Sequence, residues 1–393
     1  MIDAGAETGG RPIRVLELRS VRGTGGGPEK TIMLGAARAS PDVAVTVCYL
    51  RDQRDRTFQL DSWAARLGLD YVEIDERHSF DRRAWSELRE LVGRLQIDVV
   101  HSHEYKTDLL ALWLRFRTGV IPLATSHGWT GQSTRELRVY YPVDKLILRG
   151  FPRVIAVSSE IRTELIRHGV KPDRIEVILN AIDPQAFVRD AARGPKAREA
   201  LGLKPDWFIV GAVGRLERQK RFDLLITAFA QCAAKHAQIH LVIAGDGSLK
   251  SELQSLIDQL GLSARCHLAG HRTDVVELHH AFDLLVQSSE YEGTPNVVLE
   301  AMAMETPVIA TDVGGTAELL RHDVDGLIVP KHQVAALIEA IESVLSDPAA
   351  ARMRAVAAIR RVEQDLSFEQ RTRRLEAIYR GLVAEAARTG RRA

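Results

Sequence analysis

Apolar, β-branched runs alternate with amphipathic helical stretches along the whole chain, and the series restarts near residue 208. These runs show little polar alternation, which is typical of parallel strands covered by helices on both faces. The repetition predicts an α/β fold with a doubly wound parallel sheet, and the restart predicts two such sheets. The predicted strands are Arg14–Leu18, Val43–Leu50, Tyr71–Ile74, Asp98–His103, Pro122–His127, Arg153–Ser158, Ile175–Leu179, Phe208–Val213, Ile239–Ala244, Arg265–Ala269, Leu284–Ser288, Pro307–Thr311 and Gly326–Val329.

The domain boundaries follow from this pattern, because 393 residues exceed what one ordinary core accommodates. Glycine, proline and charged residues at 190–206 predict a linker or surface turns. We expect a disordered segment at 1–12, a first domain at 13–190, a second at 191–366, and a helix at 367–393 that returns to the first domain. Ligands of open parallel sheets bind beyond the carboxyl ends of the strands, so a cleft between two facing sheets is the expected site.

The charge balance argues against one class of partner, since 53 basic and 52 acidic residues leave a net charge of +1. A uniformly cationic nucleic-acid binder is therefore excluded. Cys48, Cys232 and Cys266 form no CxxC pair and indicate buried thiols in a reducing compartment. Neither a signal-type apolar segment at the start nor a run of about 18 apolar residues is visible, so we expect a cytoplasmic protein.

The segment 291–303 places two carboxylates around a turn that leads from a strand into a helix. Gly293 and Pro295 form the turn, and the helix is expected to begin near Asn296. Free N–H groups at a helix start suit an anion or a sugar hydroxyl. Glu292 and Glu300 could each accept hydrogen bonds from vicinal hydroxyls, as on a sugar and a ribose. The spacing alone fits an ordinary surface turn followed by an acidic helix as well as it fits such a binding site.

The segment 213–220 follows the first strand of the second series and carries two cations, Arg215 and Lys220, behind a glycine. Arginine binds phosphate through a bidentate fork, and lysine acts as a point charge. Together they could neutralise a diphosphate leaving group, which is a transition-state task. A solvated basic loop explains the same residues equally well.

Glycine pairs mark three further strand ends. Gly245 with Gly247 and Gly314 with Gly315 would each fit any tight strand-to-helix turn. The segment 23–30 fails the dinucleotide fingerprint G-x-G-x-x-G, because the third glycine position is occupied by proline or lysine.

Histidines follow two strands of the first series, at His101, His103 and His127. A histidine near a strand end is more often structural than catalytic. No set of His, Asp and Cys residues shows the spacing of metal ligands, so no metal site is expected.

Taken together, these motifs resemble those of the family 4 GT-B glycosyltransferases, whose fold is two facing Rossmann-like domains. Residues 292–300 are similar to the family's E-x7-E motif, 213–220 to V-G-R-L-x-x-x-K, and 245–247 to its G-x-G turn. The resemblance implies that Glu292 contacts the transferred sugar, Glu300 the ribose, and Arg215 and Lys220 the diphosphate. The remaining implied donor-binding residues, which line the base, sugar and phosphates, are Gly245, Gly247, Gly293, Thr294, Pro295, Asn296, Gly314 and Gly315.

The resemblance in the first series concerns the acceptor. Gly26 and Gly27 are similar to the family's mobile glycine loop, which closes over acceptor and phosphate. His127 stands where family members often have a histidine within reach of sugar and acceptor, and His103 is a second candidate. Residues 180–183 resemble the family's N-G-[VI]-D turn, but Ala181 replaces the usual glycine, which leaves the backbone shape open.

The resemblance implies retaining, metal-independent transfer of a sugar from a nucleotide-diphosphate donor to an acceptor hydroxyl, in polysaccharide or glycolipid assembly. No cofactor besides the donor is implied, and the acceptor would be a carbohydrate or a lipid-linked molecule. The absence of a D-x-D motif at a strand end agrees with this. Glu292, His127, Arg215 and Lys220 are the candidate catalytic residues.

Two alternatives remain open, because architecture alone does not decide function. One is a two-Rossmann nucleotide-sugar epimerase or phosphorylase. The other is a catalytically silent sugar-nucleotide-binding subunit. A further hypothesis concerns residues 135–151, which mix basic and aromatic side chains and could lie on the inner membrane face. A solvated helix with core-facing tyrosines is the alternative there.

Overall fold

The computed structural model of the chain describes residues 11–21, 23, 25–78, 80–128 and 140–390. The expected disordered segment at 1–12 lies largely outside this range, and so does 135–139 of the proposed membrane face. The chain divides into two compact units. Unit 1 contains the chain up to Val157, Ile161–Ile178 and the chain from Arg371, while unit 2 contains Ser158–Glu160 and Leu179–Gln370.

Unit 1 is built on a seven-stranded sheet of order β3-β2-β1-β4-β5-β6-β7, in which every pairing is parallel. Its strands are β1 Ile13–Ser20, β2 Val43–Asp52, β3 Asp70–Glu76, β4 Val99–Ser102, β5 Ile121–Ser126, β6 Arg153–Ala156 and β7 Ile175–Val177. The first helices of the chain are α1 Gly27–Ala36, α2 Leu60–Leu67, α3 Arg82–Arg94, α4 Tyr105–Thr118, α5 Tyr141–Ile147 and α6 Ser159–Arg167, with 3₁₀ turns at Leu148–Gly150 and Pro172–Arg174.

Unit 2 is built on a six-stranded parallel sheet of order β10-β9-β8-β11-β12-β13. Its strands are β8 Phe208–Val213, β9 Ile239–Ala244, β10 Cys266–Gly270, β11 Leu284–Gln287, β12 Val308–Thr311 and β13 Leu327–Val329. The helices are α7 Arg193–Ala200, α8 Phe222–Lys235, α9 Lys250–Gln259, α10 Val275–Ala281, α11 Asn296–Ala303, α12 Thr316–Leu319, α13 Val334–Ser346 and α14 Pro348–Asp365, with a 3₁₀ turn at Arg218–Lys220.

The last helix, α15 Phe368–Arg388, packs on the sheet of unit 1 from Arg371 onward. Its buried side chains repeat with helical spacing and meet Val15, Val99 and Leu123 of the strands. Burying each such aliphatic side chain contributes about 1.5–3 kcal/mol. The helical residues on this face are Leu375, Ile378, Tyr379 and Leu382.

Each sheet has one point at which the strand order reverses, and that point locates the ligand site in open α/β sheets. In unit 1 it lies between β1 and β4, and in unit 2 between β8 and β11. Residues that follow these four strands are therefore held at the two positions where a doubly wound fold binds ligands. Arg215 follows β8, Glu292 follows β11, and His103 follows β4.

The interpretation of 190–206 as linker or turns is wrong in part, because Arg193–Ala200 forms α7. Gly194 and Pro195 lie in its first turn, where a missing proline N–H costs no helical hydrogen bond. NH2 of Arg198 donates to both carboxylate oxygens of Asp283 at 2.7 Å and so fixes the helix to the sheet. The composition thus signalled a helix start rather than a linker.

The described residues contain no helix that is both long enough and apolar enough to cross a bilayer. All three cysteines are buried and free. Burial raises the pKa of the Cys48 and Cys266 thiols to about 12. These thiols are therefore unreactive side chains of the cores.

Candidate active site

The carboxyl ends of β8 and β11 bring two of the predicted catalytic residues into direct contact. Nζ of Lys220 lies 2.5 Å from Oε1 of Glu292, and the hydroxyl of Ser289 donates to the same oxygen at 2.6 Å. The two charged side chains are only 16% and 9% exposed. Because both are largely desolvated, their attraction is stronger than that of a surface ion pair.

Gln219, which was not among the predicted site residues, connects the two loops. Its carbonyl oxygen accepts from NH2 of Arg215 at 3.1 Å, and its amide nitrogen donates to the carbonyl of Tyr291 at 2.9 Å. Its own backbone carbonyl accepts from the N–H of Glu290 at 2.8 Å. Gln219 therefore holds the exposed Arg215 beside the Glu292 turn. Its position between the two predicted cations is the only sequence signal that could have pointed to it.

The turn after β9 packs against the backbone of the loop after β8. Gly245 has a φ of +153°, and an added Cβ would lie 1.8 Å from the carbonyl oxygen of Gly214. A Cβ on Gly247 would lie 2.5 Å from the carbonyl oxygen of Leu216. Both glycines are thus required for close backbone approach. They place the predicted base-binding turn directly against the Arg215 loop.

The turn after β12 meets the Glu292 turn in the same way. Gly314 has a φ of +47°, and an added Cβ would lie 1.7 Å from the carbonyl oxygen of Glu292. The N–H of Gly315 donates to the carbonyl of Gly293 at 2.7 Å. The four predicted loops of unit 2 therefore form one continuous backbone cluster at the strand ends.

Helix α11 begins at Asn296, as expected, and Asn180 braces its start. The side-chain amide of Asn180 donates to the carbonyl of Thr294 at 3.3 Å and to Oδ1 of Asn296 at 3.4 Å. Pro295 is the residue before the helix. Ala181 has a negative φ, so the turn at 180–183 needs no glycine, and the question about its backbone shape is resolved.

Glu300 lies in α11 and is 8% exposed. One of its carboxylate oxygens is 3.7 Å from Nε2 of the fully buried His279. The carboxylate of Glu300 therefore lies beside α10, which carries His279.

In unit 1, the glycine segment after β1 turns directly into α1. Gly26 precedes the helix and Gly27 is its first residue. The carboxylate of Glu29 accepts from the N–H of Gly26 at 2.6 Å and pairs with Nε of Arg19. Arg19 also donates to the backbone carbonyl of His103 at 2.8 Å. The glycine turn is thus tied to the strand end that carries His103.

The predicted histidines belong to a buried hydrogen-bonded group centred on Glu17. Oε2 of Glu17 lies 2.5 Å from Nε2 of His103, and Oε1 lies 3.1 Å from Nδ1 of His101. Nδ1 of His103 in turn lies 3.2 Å from Nε2 of His127. The hydroxyl of Tyr379 donates to Oε1 of Glu17 at 2.9 Å. His127 is half-buried, whereas the other members are buried.

Glu17 was not predicted as a site residue, because it is 84 residues from His101 in the chain. The signal was present in the strand pairing, which sets Glu17 of β1 opposite His101 of β4. His103, two residues on from His101, then lies on the same face of the sheet.

Burial sets the protonation states in this group. Burial, reinforced by the His101 ring, lowers the pKa of His103 to about 3. Burial and the neighbouring His103 and Arg19 groups hold the pKa of His127 well below its ordinary value. Burial opposes ionisation of Glu17, but its contacts with His101 and His103 outweigh this and hold its pKa well below its ordinary value.

Among the described residues, Glu17, His101 and His103 are the one group whose potential metal-ligand atoms cluster, lying within 4.8 Å of one another. Spacing along the chain did not point to this group, and the absence of a metal site stays a prediction. The Glu17 carboxylate contacts both rings, and Nε2 of His101 contacts the hydroxyl of Thr125 at 2.7 Å. These three side chains thus form a hydrogen-bonded network.

Two doubly wound units, one of them with cations and carboxylates gathered at its switch point, define a class of two-domain α/β proteins that bind ligands at the strand ends. The family described as Glycosyltransferase Family 4 matches residues 25–186, and Glycosyl transferases group 1 matches residues 194–362. EpsD of Bacillus subtilis, which carries a provisional glycosyltransferase assignment, is 31% identical over 274 residues, 67% of this chain and 71% of that protein. The chain therefore belongs to the family 4 glycosyltransferases.

Other relatives agree with this assignment. The UDP-Gal:alpha-D-GlcNAc-diphosphoundecaprenol alpha-1,3-galactosyltransferase of Escherichia coli is 29% identical over 280 residues, 68% of this chain and 71% of that one. The D-inositol 3-phosphate glycosyltransferase of Mycobacterium tuberculosis is 31% identical over 313 residues, 73% of this chain and 62% of that one. These named relatives are transferases rather than epimerases or phosphorylases, so the prediction of a glycosyltransferase is confirmed.

Solved structures establish the fold. Anabaena Alr3699/HepE, crystallised with UDP, has a TM-score of 0.81 at 22% identity, covering 94% of this chain and 100% of that one. The sucrose-phosphate synthase (tll1590) of Thermosynechococcus elongatus has a TM-score of 0.76 at 23% identity, covering 95% and 100%. The prediction of a fold with two Rossmann-like parallel-sheet domains is confirmed.

Proposed function

We propose that this glycosyltransferase transfers a sugar from a UDP-linked donor to an acceptor hydroxyl with retention of anomeric configuration and without a metal. The contact between Lys220 and Glu292, with Arg215 held alongside by Gln219, carries the proposal. Cation and carboxylate meet at the switch point of unit 2, where a sugar diphosphate would present its phosphates and its hydroxyls side by side. The UDP complexes of Alr3699/HepE and the UDP-Gal named for the E. coli relative support the choice of nucleotide.

Donor binding would redistribute the charges of this pair. A diphosphate carries more negative charge than one carboxylate, so Lys220 would turn its ammonium group to the phosphates. Glu292 would then be free to accept hydrogen bonds from the sugar hydroxyls. Arg215 is exposed and its guanidinium donates to the uncharged side chain of Gln219, so it can turn to the same phosphates at little cost.

The proposed chemistry is a displacement on one face of the sugar. The bond between the anomeric carbon and the diphosphate oxygen breaks, and the diphosphate keeps the electron pair. The acceptor oxygen bonds to the same face, and its proton passes to the departing diphosphate oxygen. The configuration at the anomeric carbon is thereby retained. Arg215, Lys220 and the N–H groups at the start of α11 stabilise the charge that develops on the leaving group. Because these cations supply the positive charge, the proposed reaction needs no metal.

The acceptor is proposed to be a carbohydrate or a lipid-linked molecule of polysaccharide or glycolipid assembly. The name of the E. coli relative specifies a lipid-linked diphosphate acceptor, which supports this class.

A peripheral contact with the inner membrane face also has support in unit 1. Three apolar side chains there, Val143 and Leu146 of α5 and Phe116 of α4, are 48%, 58% and 82% exposed. Exposed apolar side chains of this kind can insert at a lipid surface. Flotation with anionic and neutral liposomes would test the contact.

Screening for stabilisation by UDP-, GDP- and ADP-sugars tests the donor, because a ligand that binds only the folded state raises the unfolding midpoint. NMR of the product made from the stabilising donor then reports the anomeric configuration. We expect stabilisation by a UDP-sugar, a retained configuration, and undiminished turnover in EDTA. Glu300→Ala should raise the KM for the donor. An inverted product, or conversion of the donor into an epimer without acceptor, would contradict the proposal.

A further inference from the structure

Helix α10 carries a histidine whose imidazole is completely buried beside the carboxylate of Glu300. His279 is 0% exposed, and neither of its ring nitrogens has a hydrogen-bond partner among the described residues. Oε2 of Glu300 lies 3.7 Å from its Nε2. A buried polar group that makes no hydrogen bond costs free energy. The carboxylate of Glu300 is therefore the group with which this imidazole can recover that cost.

The two side chains differ in what can reach them. The side chain of Glu300 is 10% exposed, whereas that of His279 is fully buried. A ligand at the start of α11 can therefore touch the carboxylate but not the imidazole. Any effect of His279 on a ligand must pass through Glu300.

The ring of His279 is fixed by aromatic neighbours. Phe187 and Phe282 both meet it edge-on, with ring centroids 6.5 and 5.9 Å away and interplanar angles of 76° and 73°. Both phenylalanines are buried in one core of unit 2. The carboxylate of Glu300, by contrast, stands at the end of a flexible side chain. A shortening of their contact therefore moves the carboxylate rather than the imidazole.

The direction of the hydrogen bond follows from the chemistry of the two groups. An ionised carboxylate only accepts, so Nε2 of His279 has to carry the proton. The distance of 3.7 Å exceeds the usual hydrogen-bond range of about 2.7–3.2 Å, and contacts of this kind often shorten when a ligand binds. A carboxylate oxygen has more than one acceptor position. Oε2 can therefore accept from His279 and still accept from a ligand hydroxyl.

We propose that His279 is a positioning residue for Glu300, and that it makes donor binding selective for a ribose over a deoxyribose. Its Nε2–H turns the carboxylate so that both oxygens accept from the vicinal hydroxyls of the ribose. The inference rests on the proposed UDP-sugar donor for the identity of the ligand, and the residues that carry it all belong to unit 2.

The next residue of α10 offers an internal comparison. His280 is 2% exposed, and both of its ring nitrogens likewise have no hydrogen-bond partner among the described residues. Burial and the positive charges of Arg193 and Arg189 lower the pKa of its ring. His280 therefore matches His279 in burial, but its strongest ionic neighbours are cations instead of a carboxylate.

The selectivity is tested by calorimetric measurement of the dissociation constants of UDP and 2′,3′-dideoxy-UDP. We expect the wild type to bind UDP about 100-fold more tightly, because the dideoxy compound makes no hydrogen bonds to the charged acceptor. In His279→Phe the affinity for UDP should fall about tenfold, while the affinity for the dideoxy compound stays unchanged. The amide of His279→Gln can donate in place of the imidazole, so this variant should retain most of the selectivity. His280→Phe should show the wild-type ratio.

The same measurements can overturn the proposal. If His279→Phe weakens both ligands equally, His279 only maintains the fold. If it weakens neither, the imidazole does not act on Glu300. A Glu300→Gln protein with the wild-type ratio would show that the selectivity arises elsewhere, which also overturns the proposal.

A measurement on the wild type decides the question if the variants do not fold. Long-range ¹H–¹⁵N correlation spectra of protein labelled with ¹⁵N-histidine report the tautomer, and contacts with Phe187 and Phe282 identify the ring of His279. We expect the proton on Nε2, and a larger shift of its resonance with UDP than with the dideoxy compound. A proton on Nδ1 alone would contradict the proposed hydrogen bond.

Failure of the proposed reaction gives a different result. Wild-type protein that prefers UDP to the dideoxy compound but transfers no sugar would overturn the transferase and leave the role of His279 intact. Wild-type protein without affinity for UDP would overturn the proposed donor, and this inference with it.

Discussion

The ammonium group of Lys220 lies 2.5 Å from a carboxylate oxygen of Glu292, so the cation assigned to phosphate and the acid assigned to sugar neutralise each other. Both side chains are mostly withdrawn from water. Removal of either partner leaves the other as an uncompensated, poorly solvated charge. The pair therefore links the stability of unit 2 to its proposed chemistry.

Replacement of Lys220 by methionine should lower both stability and activity. We expect a loss of about 3 kcal/mol in the free energy of unfolding, because a largely buried carboxylate loses its partner. We expect kcat to fall about 100-fold or more, because one preorganised donor to the leaving group is lost. Urea unfolding and steady-state kinetics measure the two effects.

The double variant Lys220→Met with Glu292→Gln is the control for this prediction. It should recover most of the lost stability, since no unpaired charge remains, but it should stay inactive. Equal losses of stability in the single and double variants would show that the ion pair has no structural role.

Arg215→Ala should lower kcat while it changes stability little. Arg215 is exposed and its guanidinium donates to the side chain of Gln219, so we expect less than about 0.5 kcal/mol of destabilisation. The loss in kcat should reach about 100-fold, and the KM for the donor should change far less. Arg218→Ala removes an exposed cation three residues on in the same loop and should be almost silent. A raised KM at unchanged kcat for Arg215→Ala would refute the transition-state role.

Gly314→Ala should displace the Glu292 turn. The new Cβ would meet the carbonyl oxygen of Glu292 at 1.7 Å, in addition to the strain of a positive φ. Gly261→Ala is a matched control, because its φ is +67° and nothing lies within 4 Å of the added Cβ. The control should cost about 1–2 kcal/mol of stability through backbone strain alone. Gly314→Ala should lower the free energy of unfolding by more than the control does, and it should weaken donor binding. Equal losses in the two variants would show that the turns after β11 and β12 can move apart without cost.

Stability should fall as the pH drops below about 6.5, where histidines of the unfolded chain become protonated. The pKa of His103 is lowered to about 3 in the folded protein. The unfolded state therefore binds the extra proton between these values, and the stability that His103 contributes above pH 6.5 is lost progressively toward pH 3. Between pH 6.5 and 5.5 we expect this ring to account for about 1 kcal/mol.

Urea unfolding of the wild type and of His103→Gln across this pH range measures that contribution. The difference in stability between the two proteins should narrow as the pH falls. A constant difference would mean that His103 titrates in the folded protein as it does in the unfolded chain.

The fold was predictable because burial on both faces makes each parallel strand an apolar run. Each of the thirteen predicted runs overlaps a strand of the structure. The exception at Arg193–Ala200 has a physical cause, since glycine and proline are as compatible with the first turn of a helix as with a linker. Local composition does not distinguish the two, whereas the partly buried ion pair between Arg198 and Asp283 does.

Site residues that stand in one short sequence motif were predictable. Residues that join the site through contacts between distant strands were less so. Glu292, Arg215 and Lys220 stand in short motifs, and the structure brings them together. Glu17 and Gln219 act through contacts with distant parts of the chain, so no local pattern marks them. Finding Glu17 would have required the register between β1 and β4, which pairs it with His101.

Because α15 packs on unit 1, unit 2 can complete its folding before unit 1 during synthesis. Translation normally allows the N-terminal domain to fold first. Here the apolar face of the first sheet, at Val15, Val99 and Leu123, stays exposed until α15, the last helix to be synthesised, packs on it. The stretch 179–370 leaves the ribosome before α15 and can fold earlier. A chain that stops before Arg371 would therefore expose this apolar sheet face and lose the hydroxyl of Tyr379 beside Glu17. Such a chain would depend on chaperones to avoid aggregation.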